Sequence, residues 1–305
     1  MNRTKLEHEI KPTPTEVECV LRAKATIGEG PSWSAKDQLL YWVDIPEKKL
    51  HVFNPKDGSN RTFDLGDLVT CVSPRKNGGL VLTLRSTFVF FDPTTGKVDV
   101  LAEPEPDKPG NRFNDGKCDR QGRLWAGTMG DVDWDSPIGS LYRLDANAQV
   151  TRMEEGICCS NGLGWSPDSK TMYFAESFRY RIHAYDFDAA TGSISNRRVF
   201  ASLDPKCGAF PDGLTVDREG FVWSAQPVFG RLVRYDPKGK IERIIELPVT
   251  RGTSCMFGGE DLDVLYVTTM RATLSDEQLA EEPWAGSLLA LRPGVKGIAE
   301  TPFAG

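Results

Sequence analysis

The sequence predicts an all-β chain folded as a six-bladed β-propeller, with four antiparallel strands in each blade. Three observations carry that expectation. A short unit recurs: a polar residue bearing a side-chain oxygen, in most copies a glycine close behind it, then a short apolar strand and a turn. With lead positions at 29, 70, 115, 161, 212 and 254, the steps are 41, 45, 46, 51 and 42 residues, a spacing that belongs to repeat architectures. Each interval has room for four short strands, as in a propeller blade. No stretch keeps a capped 3.6-residue apolar period, except residues 275–282, which read as one or two helical turns in a loop.

From the N-terminus, residues 1–16 are polar and charged and include Pro12 and Pro14. They are expected to form a flexible arm, leaving residues 17–305 as a single propeller domain. Val17-Glu18-Cys19-Val20-Leu21 reads as a strand without a blade of its own. A ring lacking one strand leaves a sheet edge open. This strand is therefore expected to close the last blade, beside Ser287-Leu288-Leu289-Ala290. Glu29-Gly30-Pro31-Ser32-Trp33 opens the first blade, and the weaker echo Thr70-Cys71-Val72-Ser73-Pro74 opens the second. Asp115-Gly116-Lys117-Cys118-Asp119 opens the third, with middle strands over residues 123–126 and 140–144. The fourth unit is the fullest. After Ser160-Asn161-Gly162-Leu163-Gly164-Trp165, the turn residues Ser166-Pro167-Asp168-Ser169 lead into Thr171-Met172-Tyr173-Phe174-Ala175, rich in strand-favouring types. Residues 176–180 read as a loop, 182–187 as an alternating third strand and 194–200 as a fourth. Asp212-Gly213-Leu214-Thr215-Val216-Asp217 opens the fifth unit, continued over 221–224, 231–235 and 241–247. Ser254-Cys255-Met256-Phe257-Gly258 opens the sixth.

Composition narrows the function classes. Hydrophobic residues make up 39% and charged residues 26% of the 305, the usage of an ordinary globular chain. The net charge of −6 argues against a nucleic-acid or anionic-membrane partner. No apolar run approaches the ~18 residues that a membrane helix needs, and residues 1–16 hold no apolar segment of the kind expected in a secretory signal. The seven cysteines, 19, 71, 118, 158, 159, 207 and 255, are odd in number and contain no Cys-x-x-Cys. A disulfide framework or structural zinc site is not expected, and the chain reads as cytoplasmic. Cys71, Cys118 and Cys255 fall within short apolar strands and read as small buried hydrophobes.

The first strand of a propeller blade lies innermost, so the lead residues should ring one mouth of a central channel. Glu29, Asn161 and Asp212 each precede a glycine, which allows close backbone approach. Taken singly, Asn-Gly and Asp-Gly are hairpin-turn signals. Each unit, however, has its own turn a few residues later, and three such pairs in register point to a shared site. Two carboxylates and an amide carbonyl form an oxygen set suited to a hard dication, and two negative charges balance one dication. None of His8, His51 and His183 occupies a lead position, so neither a histidine zinc centre nor a Ser-His-Asp triad is expected. His183, in a third strand, reads as structural. The connectors before first strands and the loops after second strands should share the ligand face, among them residues 101–113, 130–139, 176–180, 226–230 and 269–286. Arg112 and Asn114 end one connector beside Asp115, and Asp131, Asp133, Trp134 and Asp135 share one loop. Arg112 suits a carboxylate, hydroxyls or a developing anion, and equally a surface ion pair.

Several motifs together resemble the senescence marker protein/gluconolactonase/luciferin-regenerating-enzyme-like family. They are Gly28-Glu29-Gly30-Pro31, Tyr41-Trp42-Val43-Asp44-Ile45, Asn111-Arg112-Phe113-Asn114-Asp115-Gly116-Lys117, Ala126-Gly127-Thr128-Met129 and Ser160-Asn161-Gly162-Leu163. Ile194-Ser195-Asn196-Arg197-Arg198, Pro211-Asp212-Gly213, Thr253-Ser254-Cys255-Met256-Phe257-Gly258-Gly259 and Gly294-Val295-Lys296-Gly297-Ile298-Ala299 complete the set. The resemblance implies a six-bladed propeller that hydrolyses sugar lactones with one divalent cation in its channel: calcium, manganese, magnesium, zinc or iron. It implies Glu29, Asn161 and Asp212 as metal ligands and Arg112 and Asn114 as substrate contacts. Animal members carry a longer acidic insertion after Gly-Thr-Met. Here the loop is short and offers Asp131 and Asp133 as further substrate-binding candidates.

The expected chemistry is ester hydrolysis, with the cation as Lewis acid, water as nucleophile and Asp212 taking its proton. Arg112 and Asn114 would orient hydroxyls and steady the oxyanion. Two other readings use the same residues: a calcium-binding regulatory propeller without turnover, and an esterase or organophosphate hydrolase. The expected partner is a small sugar lactone, and the chain is expected to be monomeric.

Overall fold

A computed structural model describes residues 10–305. Its named strands form six antiparallel sheets of four. The innermost strands of blades one to six are Gly28–Ser34, Val69–Pro74, Asn111–Cys118, Ser160–Trp165, Leu214–Val216 and Gly252–Gly258. Blade four continues through Thr171–Glu176, Arg181–Asp188 and Ser193–Ser202. Its strands match those read from the sequence apart from their ends, the least determined part of any element. The segment expected as a loop holds a short 3-10 turn, Ser177–Arg179.

Burial explains why the strands read so differently. Gly28–Ser34 and Ser160–Trp165 are buried along their whole length, so neither alternates in polarity. The outermost strand Ser193–Ser202 is almost wholly exposed and correspondingly polar. The core lies between blades. One cluster joins Tyr41, Val43 and Leu50 of blade one to Val72, Leu80 and Leu82 of blade two. Another joins Trp223 and Leu232 of blade five to Cys255, Leu265 and Leu289 of blade six. At about 1.5–3 kcal/mol for each fully buried large apolar side chain, these interfaces are what hold the ring together.

The last blade is assembled from both ends of the chain. Val17–Leu21 pairs antiparallel with Leu288–Leu291, with Val17 opposite Leu291. The helical turn in the last connector is Asp276–Glu281, with Ser275 as N-cap and Gln278 completing a capping box. After the last strand, the tail crosses the far ends of the inner strands. Lys296 O accepts from Arg218 N at 2.9 Å, and Phe303 N donates to Pro74 O at 2.8 Å. Phe303 is fully buried, and Glu300 accepts from Ser32 Oγ at 2.8 Å.

Of the expected arm, residues 1–9 lie outside the described residues. Thr13 N donates to Ile244 O at 2.8 Å, and Ile10 packs on the cluster between blades four and five. All seven cysteines are free thiols. Cys71 and Cys255 are buried, whereas Cys118 is only partly so. No helix among the described residues is long and apolar enough to cross a membrane.

Candidate active site in the channel

Five of the inner strands lose regular pairing at the lead position. The register shifts between Glu29 and Ser32, Val69 and Cys71, Phe113 and Gly116, Ser160 and Leu163, and Gly252 and Ser254. In blade five the regular strand begins only after Gly213, and Asp212 N donates to Ala225 O at 3.0 Å. Such irregularities bend a strand and re-aim its side chains. They free the lead residues from the alternation of the sheet. Gly30 adopts a left-handed backbone, φ +52°, which few other residues tolerate. A Cβ on Gly162 would stand 2.4 Å from Leu214 N and 2.6 Å from Asp212 O. Here glycine lets inner strands four and five touch.

Glu29, Asn161 and Asp212 are all buried. Asn161 Nδ2 donates to Ser177 Oγ at 3.0 Å, and Ser177 Oγ donates to Pro211 O at 2.8 Å. Glu29 Oε2 accepts from Gly30 N at 2.8 Å. Asn161 Oδ1 and Asp212 Oδ1 are buried without any hydrogen-bond partner. Such orphans are rare in native folds and point to an ion or water as their partner. The carboxyls also repel one another. Burial, then the charges of Asp212 and Asp115, holds the Glu29 carboxyl well above its usual range. Burial, then Asp115, does the same to Asp212. Burial pushes Asp115 up to about 6. A dication would relieve this repulsion and satisfy both orphaned oxygens, so the donor set fits a hard divalent ion. Among the described residues no three His, Cys, Asp or Glu side chains gather into a ligand cluster. Glu29 and Asp212 are two carboxylates, and Asn161 would add an amide oxygen to them.

Arg112 is fixed from several sides. Nη1 donates to Asn114 Oδ1 at 2.8 Å and to Phe113 O at 2.9 Å, and Nε lies 3.1 Å from Asp131 Oδ1. Asn114 Nδ2 donates to Ser160 O at 2.8 Å, beside Asn161. Asp131 also pairs with Arg85. Asp133 is exposed on the same loop and forms no ion pair among the described residues.

Some neighbours were given no site role from the sequence. Ser177 orients the Asn161 amide, and it belongs to a loop already assigned to this face. Cys159, whose thiol is pushed up to about 12 by burial and then by Asp212, lies within 4.0 Å of the Asn114 and Asn161 amides. Asp115, a lead residue given no role, adds the third buried carboxyl. His51 stacks on Trp42 at 3.9 Å, and His183 Nε2 sits 3.2 Å from the Glu176 carboxylate in blade four. A groove of about 1300 Å³ lies at the seam, lined in part by Cys19, Trp33, Phe53 and Tyr266. It contains none of the three oxygens.

A family model described as SMP-30/Gluconolactonase/LRE-like region matches residues 27–271. The chain belongs to the SMP-30/gluconolactonase/LRE-like family. It is 40% identical over 296 residues to a regucalcin of Oryctolagus cuniculus, covering 95% of this chain and 99% of that one. It is 37% identical over 292 residues to a 6-deoxy-6-sulfogluconolactonase of Pseudomonas putida, with 95% and 99% covered. The crystal structure of a calcium-binding protein, regucalcin, from Agrobacterium tumefaciens superposes with a TM-score of 0.89 at 29% identity, covering 95% of this chain and 98% of that one. In SMP-30/gluconolactonase terms the chain is thus matched along nearly its whole length, channel residues included.

Proposed function

We propose that the chain is a divalent-cation-dependent lactonase that opens a sugar lactone to its hydroxy acid. The observation that carries this reading is the pair of orphaned buried oxygens, Asn161 Oδ1 and Asp212 Oδ1, beside Glu29. Glu29, Asn161 and Asp212 would hold the cation. When bound, it supplies Lewis acidity toward an ester carbonyl and makes a nearby water more acidic.

The chain's own groups supply the rest. With Oδ1 of Asp212 given to the cation, the second oxygen of the same carboxylate takes the proton of the attacking water. Arg112, clamped by Asn114, Phe113 and Asp131, sets a fixed positive charge beside the carboxyls. It binds ring hydroxyls and steadies negative charge as it develops. Asn114 acts by holding Arg112 in place, Asp131 braces it, and Asp133 offers a free carboxylate to hydroxyls at the mouth. The relative named 6-deoxy-6-sulfogluconolactonase supports a sugar lactone as substrate, and the calcium-binding relative supports a divalent cation.

The test strips the protein with a chelator and restores Ca²⁺, Mg²⁺, Mn²⁺, Zn²⁺ or Fe²⁺ one at a time. Acid release from glucono-, xylono- and galactonolactone is then followed. Cation-restored hydrolysis, lost in Asp212→Ala, is expected. Cation binding without turnover on any lactone would instead identify a binding protein that uses the same three oxygens.

A further inference from the structure

Beside the oxygen trio stands a row of aromatic rings that the lactonase chemistry above does not use. Trp134 and Phe178 have ring centroids 6.2 Å apart at an interplanar angle of 33°, and Phe178 and Phe210 are 5.4 Å apart at 41°. The three rings come from three loops, and each loop is tied to a residue of the site. Trp134 Nε1 donates to Asp131 O at 3.0 Å, and the Asp131 carboxylate holds Arg112. Phe178 follows Ser177, whose hydroxyl orients Asn161. Phe210 precedes Pro211, the acceptor of that same hydroxyl, and Asp212 comes next. The row therefore flanks the trio on the side of blades three to five.

Exposure sets these rings apart from the core aromatics. Trp33, Trp42, Trp125 and Trp223 are wholly buried, but Trp134 is 41% exposed. Phe178 and Phe210 are half-buried behind it. The Trp134 indole N–H is already satisfied, which leaves its π face as the surface on offer. Trp134 also lies in the short acidic loop that carries Asp131, Asp133 and Asp135.

We propose that Trp134, backed by Phe178, is the stacking platform for the ring of the substrate and selects among sugar lactones. The proposal rests on the lactonase reading. A cyclic sugar ester has one face of C–H groups, which are weakly positive and pack against the electron-rich face of an indole. Its hydroxyls project around the ring edge, free to meet Arg112 and Asp133. Hydrolysis breaks the ring, and the open hydroxy acid no longer presents a flat C–H face. The platform thus grips substrate more firmly than product.

The experiment compares native protein with Trp134→Ala, Trp134→Phe and Phe178→Leu, each checked for unchanged cation affinity and melting temperature. For Trp134→Ala we expect KM for D-glucono-1,5-lactone to rise roughly 5- to 10-fold with kcat within about twofold. Trp134→Phe should recover most of the loss, and Phe178→Leu should shift the ranking of gluconolactone against xylonolactone. An unchanged KM in Trp134→Ala on every lactone the native protein opens overturns the platform and leaves the lactonase reading intact. Should the native protein open no lactone with any cation, the lactonase reading fails instead. The platform is then decided by tryptophan fluorescence. A change on adding D-glucose, a cyclic sugar, that Trp134→Phe lacks supports it, and no Trp134-dependent change overturns it.

Discussion

Asn161 gives its side-chain N–H to the hydroxyl of Ser177, 3.0 Å away, and so turns Oδ1 into the site with no protein partner. The same hydroxyl donates to the carbonyl of Pro211, the residue before Asp212. One small side chain thereby fixes two of the three proposed ligands. Partners that orient ligands in this way typically account for 10–100-fold in metal affinity. Ser177→Ala should weaken cation binding by about that factor in calorimetry. It should also lower stability by about 1–3 kcal/mol, because the Asn161 N–H and the Pro211 carbonyl lose their partner in a buried place. Unchanged affinity would show that Ser177 plays no part in shaping the trio.

Cation-free protein should grow more stable as pH falls through about 6 toward about 4. Burial raises the folded-state pKa of Glu29, Asp212 and Asp115, the last to about 6, while their unfolded values lie near 4. Between those limits the native chain holds more protons than the unfolded one, so stability declines as pH rises. The contribution is fully present below about pH 4 and is lost as pH climbs through the raised values. Melting temperature against pH after chelation checks this. Asp212→Asn should flatten the slope and raise the melting temperature of the cation-free protein near neutral pH, while abolishing cation binding.

Gly162→Ala should damage both the fold and the site. Its new methyl would press on the backbone of Asp212 and Leu214 at 2.6 and 2.4 Å. Overpacking of this kind costs about 1–3 kcal/mol or more. Urea unfolding should show that loss, and cation titration should show weakened binding because Asp212 itself must shift.

Asp217→Ala should be among the most destabilising single changes outside the channel. Asp217 is fully buried, accepts from Phe221 N at 3.0 Å and Trp223 Nε1 at 2.9 Å, and pairs with Arg234 at 2.7 Å. Removing one partner of such a pair typically costs about 3–5 kcal/mol. Arg234 keeps Glu219 and Glu242, which places the expected loss toward the lower end. A urea midpoint unchanged from native would refute the role. Asp119 repeats the arrangement in blade three, accepting from Trp125 Nε1 at 3.0 Å and Arg123 Nε at 2.6 Å.

That pair shows where reading the sequence falls short. Asp119-Arg120-Gln121-Gly122-Arg123-Leu124-Trp125 and Asp217-Arg218-Glu219-Gly220-Phe221-Val222-Trp223 are one motif written twice. Taken as the ends of the units that open blades three and five, Asp119 and Asp217 give no sign of a buried acid that joins turn, indole and arginine. The architecture was legible because lead residues repeat at blade spacing, and the closing strand because Val17 to Leu21 had no other sheet to join. The capped turn at Asp276–Glu281 was legible because Ser275 and Gln278 are spaced as a capping box. Register in the sequence is what singles out Glu29, Asn161 and Asp212 as the proposed ligands. The irregular pairing that aims them was not legible, since it depends on which residue of the neighbouring strand is skipped. Nor could sequence separate Asp131, engaged with two arginines, from Asp133, which is exposed. Two acids two residues apart on a short loop carry no mark of which one turns inward.

The seam between Val17–Leu21 and Leu288–Leu291 has a consequence for biogenesis. During translation the ring cannot shut until Leu288 to Leu291 have left the ribosome, so the early blades must wait with unpaired flanks. The waiting strand lies where a chaperone or a premature partner could capture it. Once closed, the circle is clasped by a backbone ladder and side-chain packing rather than by a covalent link. Under load, or during slow opening, that clasp is the natural place for the circle to part. A circular permutant cut within another inter-blade connector would move the parting point to a different sector of the molecule.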